Sequence, residues 1–241
     1  GRLTCYTGDD QADEFIYKFI ADNNKSLEKG VLYAANTKQG KWLPLDLEKS
    51  PQLQKHFSNQ LDVLIYARKA ARILGATPQD RPEDIEIHPI TKEVFVCLTN
   101  NRKKGNDHGS ILKLIENKND PERFTAETFL VGGEHFSCPD NIAFDQKGNL
   151  WMNNDISGKR IGNDTYKKFG NNGLFYIPTS GAHQGQVFQI ASAPNEAEFT
   201  GLSFSEDQKT IFMSVQHPGE RSKSLDALTS HWPNGEPKPS V

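Results

Sequence analysis

An arginine and two carboxylates stand at the start of a strand-like segment near the middle of the chain. In residues 80–102, DRPEDIEIHPITKEVFVCLTNNR, the side chains of Arg81, Glu83 and Asp84 come directly before apolar residues that alternate with polar ones. The planar guanidinium of arginine suits a bidentate anion such as phosphate or carboxylate. Carboxylate oxygens suit hard cations such as calcium. The combination predicts a site where an anion is held between cations and one arginine.

The pattern that follows these residues recurs twice further along the chain. Residues 138–155 (CPDNIAFDQKGNLWMNND) and 198–220 (EFTGLSFSEDQKTIFMSVQHPGE) each contain alternating apolar residues, a polar turn and a second apolar strand. Ile142 follows Ile85 by 57 residues, and Leu202 follows Ile142 by 60. A period of this length indicates a repeated β-unit.

Each copy therefore begins with a hairpin, and two more strand-like segments follow each of the first two copies. Four antiparallel strands make one blade of a β-propeller. The segments LTCYTGDD, FIYKFIAD, GVLYAANT and KWLPLDL form an earlier set of the same kind. We predict an all-β single domain over residues 1–241, a partial β-propeller of about three and a half four-stranded blades. Apolar residues at helical spacing predict a helical insertion at about residues 50–75.

In a propeller the first strand of each blade lines the central channel, so residues just before these strands surround its mouth. The repeat places Glu83 and Asp140 at equivalent positions, with Glu198 close to the corresponding position of the third copy. Asp9 and Asp10 follow a strand of the earlier blade, and we expect them to face the same space. Gathering buried carboxylates costs several kcal/mol each unless something compensates. The economical compensation is a bound cation, so the repeat predicts a metal site.

The composition argues against a nucleic acid or a membrane as the partner of this protein. The net charge is −3 and the pI is about 6.2, which gives no reason to expect a nucleic acid or an anionic membrane surface. No apolar run is long enough to span a membrane. The three cysteines, Cys5, Cys97 and Cys138, are too widely spaced to suggest a disulfide framework, and we expect Cys5 and Cys97 to be buried thiols. The sequence begins at Gly1, and we interpret it as part of a longer protein.

Several segments, in the same order, resemble the PhoX-type alkaline phosphatases: GDDQADEFIYKF, GVLYAANT, GATPQDRPEDIEIHP, EVFVCLTNN, CPDNIAFDQKGNLWM and FMSVQHPGE. The similarity covers nearly the whole chain and corresponds to the C-terminal half or so of the family. It implies a six-bladed propeller and phosphomonoester hydrolysis with calcium and iron ions. It also implies export, so that the protein would be periplasmic or extracellular.

The resemblance also implies roles for individual residues. The Arg-Pro-Glu motif of the family matches Arg81, Pro82 and Glu83, so Arg81 would contact the phosphate and Glu83 would bind metal. His217 of QHPGE is a candidate for binding substrate or metal, although a histidine before proline is more often a packing or turn residue. Further acidic residues are carried over as metal ligands: Asp140, Glu198, Asp9 and Asp10. The family's N-terminal half supplies more ligands, so we expect this chain to hold part of the site, to need that half as its partner and to be inactive alone.

Two other functions remain open from the sequence. A calcium-dependent propeller hydrolase such as a lactonase shares PDNIAFD and GNLWM, but has no need for Arg81 beside Glu83. A propeller that serves only as a binding module needs no metal at all. Individual residues also have structural alternatives: Arg81 and Asp84 could form an ion pair, and Asp140 could cap a turn. We predict a long solvent loop at residues 154–172.

Overall fold

The structure, a computed structural model, describes residues 1–235 and 238–240, and most of its regular structure is β-strand. The strands are β1 (Thr4–Gly8), β2 (Ala12–Glu14), β3 (Ile16–Ala21), β4 (Gly30–Asn36), β5 (Lys41–Pro44), β6 (Gln79–Asp80), β7 (Pro82–Ile87), β8 (Val94–Leu98), β9 (Ser110–Glu116), β10 (Phe124–Val131), β11 (Pro139–Phe144), β12 (Leu150–Asn154), β13 (Gly173–Ile177), β14 (Phe188–Ser192), β15 (Glu198–Phe204) and β16 (Ile211–Gln216).

The strands pair antiparallel with near neighbours in the sequence. Three four-stranded sheets have the orders β1-β3-β4-β5, β7-β8-β9-β10 and β11-β12-β13-β14, while β15 pairs with β16 and β2 with β6. The prediction of an all-β fold with four-stranded antiparallel units is confirmed. The first two copies of the repeat each begin such a sheet, and the third copy forms the β15–β16 hairpin.

Short helices lie between β5 and β6. A 3-10 helix spans Pro51–Lys55, and two α-helices follow, α1 (Gln60–Ile65) and α2 (Ala67–Leu74). Helix α1 begins at Asn59, whose side chain accepts the Asp62 N–H, and α2 ends at Gly75, whose φ of 81° suits glycine. The buried side of these helices packs with Phe15 and Tyr17 of the first sheet, so the insertion rests on the strands next to β1.

The first strands of the sheets lie beside one another. Strands β1, β7, β11 and β15 are edge strands and neighbours in chain order. In the three repeat copies the pairing register shifts at the same place, between residues 82 and 85, 139 and 142, and 200 and 203. A register shift of this kind re-aims the side chains beside it. The acidic positions of the repeat therefore lie at irregular points of adjacent strands.

Side chains next to these acidic positions form hydrogen bonds that link β7 to β11 and β11 to β15. Asp84 Oδ2 accepts the backbone N–H of Ile142 on β11 at 2.9 Å. One repeat later, Asn141 Oδ1 accepts the N–H of Gly201 at 3.1 Å and the hydroxyl of Thr200 at 2.7 Å. Asp84 thus ties neighbouring sheets together and does not pair with Arg81. These bonds fix the spacing of the strands that carry the site.

Apolar layers fill the space between neighbouring sheets. The first layer joins the sheets of β1 and β7, and its largest buried side chain is Trp42; the second joins the sheets of β7 and β11 around Phe95 and Phe136. Cys97 is buried as predicted, but Cys5 is exposed and that prediction is wrong. Cys5 lies on the edge strand β1, where alternate side chains point outward.

Among the residues that the structure describes, no helix is long and apolar enough to cross a membrane.

The hydrogen bond between Asp84 and the backbone of Ile142 gives a first prediction. Replacing Asp84 by alanine would leave the buried N–H of Ile142 without its acceptor and should destabilise the fold by about 1–3 kcal/mol. Asp84→Asn keeps one acceptor oxygen and should lie between the wild type and alanine. Urea unfolding of the purified protein measures both, and an alanine variant as stable as the wild type would contradict the assigned role.

Candidate functional site

Arg81 sits at a strained point of the backbone. Its φ is 59°, in the left-handed region, and it directly precedes Pro82, which also disfavours the ordinary helical conformation. Such a conformation costs about 1–3 kcal/mol and persists where the surroundings impose it. Here the Arg81 carbonyl accepts the N–H of Thr99, and the Asp80 carbonyl accepts that of Asn100. The chain is thus held against the residues that follow β8.

The guanidinium of Arg81 is held by a carboxylate from another part of the chain. Arg81 Nε and Nη2 lie 2.8 Å and 3.0 Å from the two carboxylate oxygens of Asp10. Nη2 also lies 3.9 Å from Glu83 Oε2. Burial opposes the charge of Arg81, but the hydrogen bond to Asp10 and the negative charges of Asp10, Glu83 and Asp155 together outweigh it, so the pKa of Arg81 is raised. Arg81 is therefore a fixed, permanently charged group.

Glu83 lies between two other carboxyl groups. Burial, together with hydrogen-bonding contacts to Asp10 and Asp140 and their charge, raises the pKa of Glu83 to about 9. Two ionised carboxylates cannot donate to each other, and among the described residues Glu83 Oε2 is buried without a donor. At neutral pH, Glu83 thus favours a shared proton, or a cation, in the space between these oxygens.

Asp140 and Glu198 extend the same cluster through Asp155. Burial and the charge of Asp155 raise the pKa of Asp140 to about 6, while contact with Glu83 and Arg81 acts in the opposite direction. Burial and a hydrogen-bonding contact with Asp155 raise the pKa of Glu198 to about 9. Asp140 is 8% exposed and Glu198 is 7% exposed. Carboxyl groups from four segments thus meet in a space with little solvent.

His217 borders this cluster on the side of Glu198. Its Nε2 lies 3.8 Å from Glu198 Oε1, and its φ of 40° is again left-handed. His217 Nδ1 is buried and has no hydrogen-bond partner within the described part of the chain. An unpaired buried ring nitrogen is costly unless a ligand or ion completes it.

A cavity of about 230 Å³ opens next to the carboxylates. Three arginines line it, Arg81, Arg102 and Arg160, together with Asp155 and Asn100. Arg102 is already engaged, because its Nε lies 3.0 Å from Asp107. Planar guanidinium groups around a small polar cavity are suited to an anion with several oxygens. The cavity thus adjoins the carboxyl cluster, and Arg81 and Asp155 border both.

The structure brings most of the predicted site residues together. Arg81, Glu83, Asp140, Glu198, Asp10 and His217 form one continuous group. Their roles as ligands or substrate contacts remain predictions.

Asp9 does not join this group. Its two carboxylate oxygens accept from Arg68 Nε at 2.7 Å and Nη2 at 2.6 Å, on helix α2. Asp9 thus faces helix α2, whereas its neighbour Asp10 faces Arg81.

Sequence reasoning missed Asp155, Arg102 and Arg160. The segment that holds two of them was predicted to be a long solvent loop, which is correct for exposed stretches such as residues 162–165 but wrong for its buried side chains. Ile156 and Tyr166 are each 1% exposed, and the Asn172 side chain bonds both the N–H and the carbonyl of Ile156. The apolar residues of this segment were the available signal, because a solvated loop rarely carries so many.

The arrangement of the carboxyl groups also bears on metal binding. Among the described residues, no group of three or more His, Cys, Asp or Glu side chains is arranged so that it could hold a metal ion as it stands. The carboxyl groups instead approach one another in pairs, Glu83 with Asp10 and Asp140, and Glu198 with Asp155. An ion bound here would require these side chains to reorient.

Comparisons with known proteins agree with the geometry. The family model of alkaline phosphatase PhoX matches residues 1–219. The chain is also similar to a solved structure of Pseudomonas fluorescens PhoX in complex with vanadate, a transition state analogue. The two are 30% identical with a TM-score of 0.86, over 100% of this chain and 50% of that one. The chain thus spans half the length of the protein it matches. No curated protein sequence matches it.

The family model covers most of the chain, and the solved structure superimposes on all of it. Together with the arginine and carboxylates gathered at the first strands, these matches lead to one conclusion: the chain belongs to the PhoX alkaline phosphatase family.

Proposed function

We propose that the protein hydrolyses phosphomonoesters with the help of bound metal ions, and that this chain contributes part of the site. The observation that carries the proposal is the position of Arg81, which lies between a cluster of carboxyl groups and a cavity lined by arginines. A phosphate ester needs positive charge around its oxygens and a polarised leaving group. The cavity lined by arginines would supply the positive charge, and metal ions held by the carboxyl groups would polarise the leaving group.

The carboxyl groups fit calcium in chemical type. Their donors are all hard oxygens, Glu83 Oε2 is buried without a donor among the described residues, and the raised pKa values mark a space that lacks positive charge. We propose that Glu83, Asp140 and Glu198 reorient to hold calcium, with Asp155 added to the set, and that Asp10 joins them as a ligand while it keeps its contact with Arg81. Iron is proposed from family membership alone, because these oxygen donors do not distinguish it.

The side chains of this chain would then have separate tasks. Arg81 binds and orients the phosphate through the N–H groups of Nη1 and Nη2 that Asp10 leaves free, because the bidentate contact with Asp10 fixes the direction of the guanidinium. Arg160 and Arg102 border the same cavity and would add positive charge. His217 is proposed to contact the substrate beside Glu198. When bound, the metal ions supply charge that stabilises the phosphoryl oxygens and activates the attacking group.

The setting of this site is also part of the proposal. We propose that the sheets are blades of a six-bladed propeller whose remaining blades come from the N-terminal half of the same protein. The match over 50% of the solved chain supports this, as do the first strands that lie side by side. The chain alone is then inactive, because further ligands are missing. A periplasmic or extracellular location is proposed from family membership.

Two alternative functions stay open. A propeller lactonase would need the carboxylates but not Arg81 held by Asp10, and a binding module would need neither. The bidentate contact of Arg81 and the raised pKa values of the carboxyl groups favour the phosphatase. A pair of assays separates the three, because only a phosphatase prefers nitrophenyl phosphate to a lactone in the presence of calcium and iron.

Arg81 gives the second prediction. In the full-length protein that contains this chain, Arg81→Ala should lower kcat/KM for nitrophenyl phosphate by about 100-fold or more, because it removes a charged contact to the phosphate. Bound calcium, measured by elemental analysis, should stay at the wild-type level. Arg123→Ala is the matched control, since Arg123 is exposed in the turn before β10. An active Arg81→Ala variant would contradict the proposed role.

The carboxyl cluster gives a third prediction, on stability in the absence of metal. The folded-state pKa values of Glu83 and Glu198 lie above the usual value, so their protonated forms stabilise the fold at low pH and this stabilisation is lost as the pH rises. The melting temperature of chelator-treated protein should therefore fall between about pH 5 and pH 9.

Two further measurements sharpen this test. Glu83→Gln keeps the shape of the side chain and removes its charge, so its melting temperature should fall less steeply over the same range. Added calcium should restore the stability of the wild type above pH 8. A wild type whose melting temperature rises with pH, or a Glu83→Gln variant with the same slope, would show that Glu83 is not buried beside other charges.

A further inference from the structure

Two arginines of helix α2 bind a short turn that leads to the site. The turn comprises residues 8–14, GDDQADE, and is called the acidic turn below. Arg68 binds it with three nitrogens: Nε and Nη2 contact the two oxygens of Asp9, and Nη1 donates to Gln11 Oε1 at 2.8 Å. Arg72, one helical turn later, bonds Glu14. A single arginine thus holds the residues on both sides of Asp10.

The body of the acidic turn is already fixed against β7. A Cβ atom on Gly8 would lie 2.2 Å from the carbonyl oxygen of Pro82, so only glycine allows this approach. At its other end, β2 pairs with β6, with Ala12 opposite Asp80. Between these anchors the tip at Asp10 and Gln11 is exposed and belongs to no sheet. Backbone hydrogen bonds within the turn hold it, among them that from the Gln11 N–H to the Asp9 carbonyl, and Arg68 adds side-chain contacts on the outer side.

Asp10, once oriented in this way, fixes the guanidinium of Arg81. Because Asp9 and Gln11 are held toward α2, the carboxylate between them faces the opposite way and meets Arg81 Nε and Nη2. Without Arg68, the Asp9 carboxylate would lose its partner and could compete with Asp10 for the guanidinium of Arg81. The contact with Arg68 therefore fixes the tip of the acidic turn. It also keeps the Asp9 carboxylate paired, so that Asp9 does not compete for Arg81.

We propose that Arg68 is a positioning residue, which orients the phosphate-binding face of Arg81 through the acidic turn. The proposal rests on the proposed function for the effect on phosphate, whereas the effect on the acidic turn stands without it. It assigns a task to the helical insertion, whose helices otherwise lie outside the site. Arg68 is 48% exposed and makes no contact with the cavity beside Arg81, so its effect must pass through Asp9 and Asp10.

A thermodynamic cycle in the full-length protein tests this route. The affinity for inorganic phosphate, measured as inhibition of nitrophenyl phosphate hydrolysis, is compared in the wild type, Arg68→Ala, Arg81→Ala and the double variant. Arg68→Ala should weaken phosphate binding about tenfold when Arg81 is present. It should cause no further loss when Arg81 is absent, because its effect passes through that side chain. An equal loss in both backgrounds, or none, overturns the proposal.

Two matched variants separate positioning from general stability. Lys69→Ala lies on the same helix and removes a contact with Phe57 instead of the acidic turn, so phosphate affinity should stay at the wild-type level. Arg68→Lys keeps the charge but loses the fork that holds Asp9 and Gln11, so it should recover part of the lost affinity. A loss with Lys69→Ala as large as with Arg68→Ala overturns the proposal.

Hydrogen–deuterium exchange tests the proposal independently of phosphatase activity. In the protein without substrate, Arg68→Ala should speed amide exchange in residues 9–14 and 80–83 and leave β12 unchanged. If Arg81→Ala leaves phosphate binding intact, the proposed function has failed, and the exchange data then decide the positioning role alone. Faster exchange confined to these segments supports the role, and unchanged exchange overturns it.

Discussion

Repulsion between buried carboxyl groups is the constraint on which the rest of this site depends. Asp10 and Asp140 raise the pKa of Glu83, Asp155 raises the pKa values of Asp140 and Glu198, and the positive charge of Arg81 acts in the opposite direction on Asp140. Like charges about 4 Å apart repel by about 4 kcal/mol at an effective dielectric constant of 20. The fold keeps these groups together because four adjacent edge strands and the side-chain bonds of Asp84 and Asn141 fix their backbones.

Arg81 lies between the carboxyl cluster and the cavity lined by arginines. Its backbone is in the left-handed region, and Asp10 holds the guanidinium at the boundary between the carboxyl cluster and the cavity. A charge fixed in this way is available to an incoming anion without further ordering, which is the advantage of preorganised sites. The acidic turn and helix α2 extend this fixed region outward, since Arg68 holds the residues on each side of Asp10.

The sequence predicted the elements that local patterns encode. Alternating residues at a period of nearly 60 gave the strands, and the acidic positions at their starts gave Glu83, Asp140 and Glu198. It did not separate Asp9 from Asp10, because their difference depends on Arg68, which lies 59 residues away. It also missed Asp155, whose proximity to Glu198 depends on the packing of Ile156 and Tyr166. Long-range side-chain pairing leaves no periodic signal, and this explains both errors.

Calcium titration with a count of released protons tests the central claim most directly. If the carboxyl groups share protons in the absence of metal, calcium must displace these protons, so calorimetry of the full-length protein at pH 7 in buffers of different ionisation enthalpy should show net proton release. Glu83→Gln should release fewer protons. Calcium binding without proton release, or no calcium binding at all, would contradict the view that cations take the place of shared protons between these carboxyl groups.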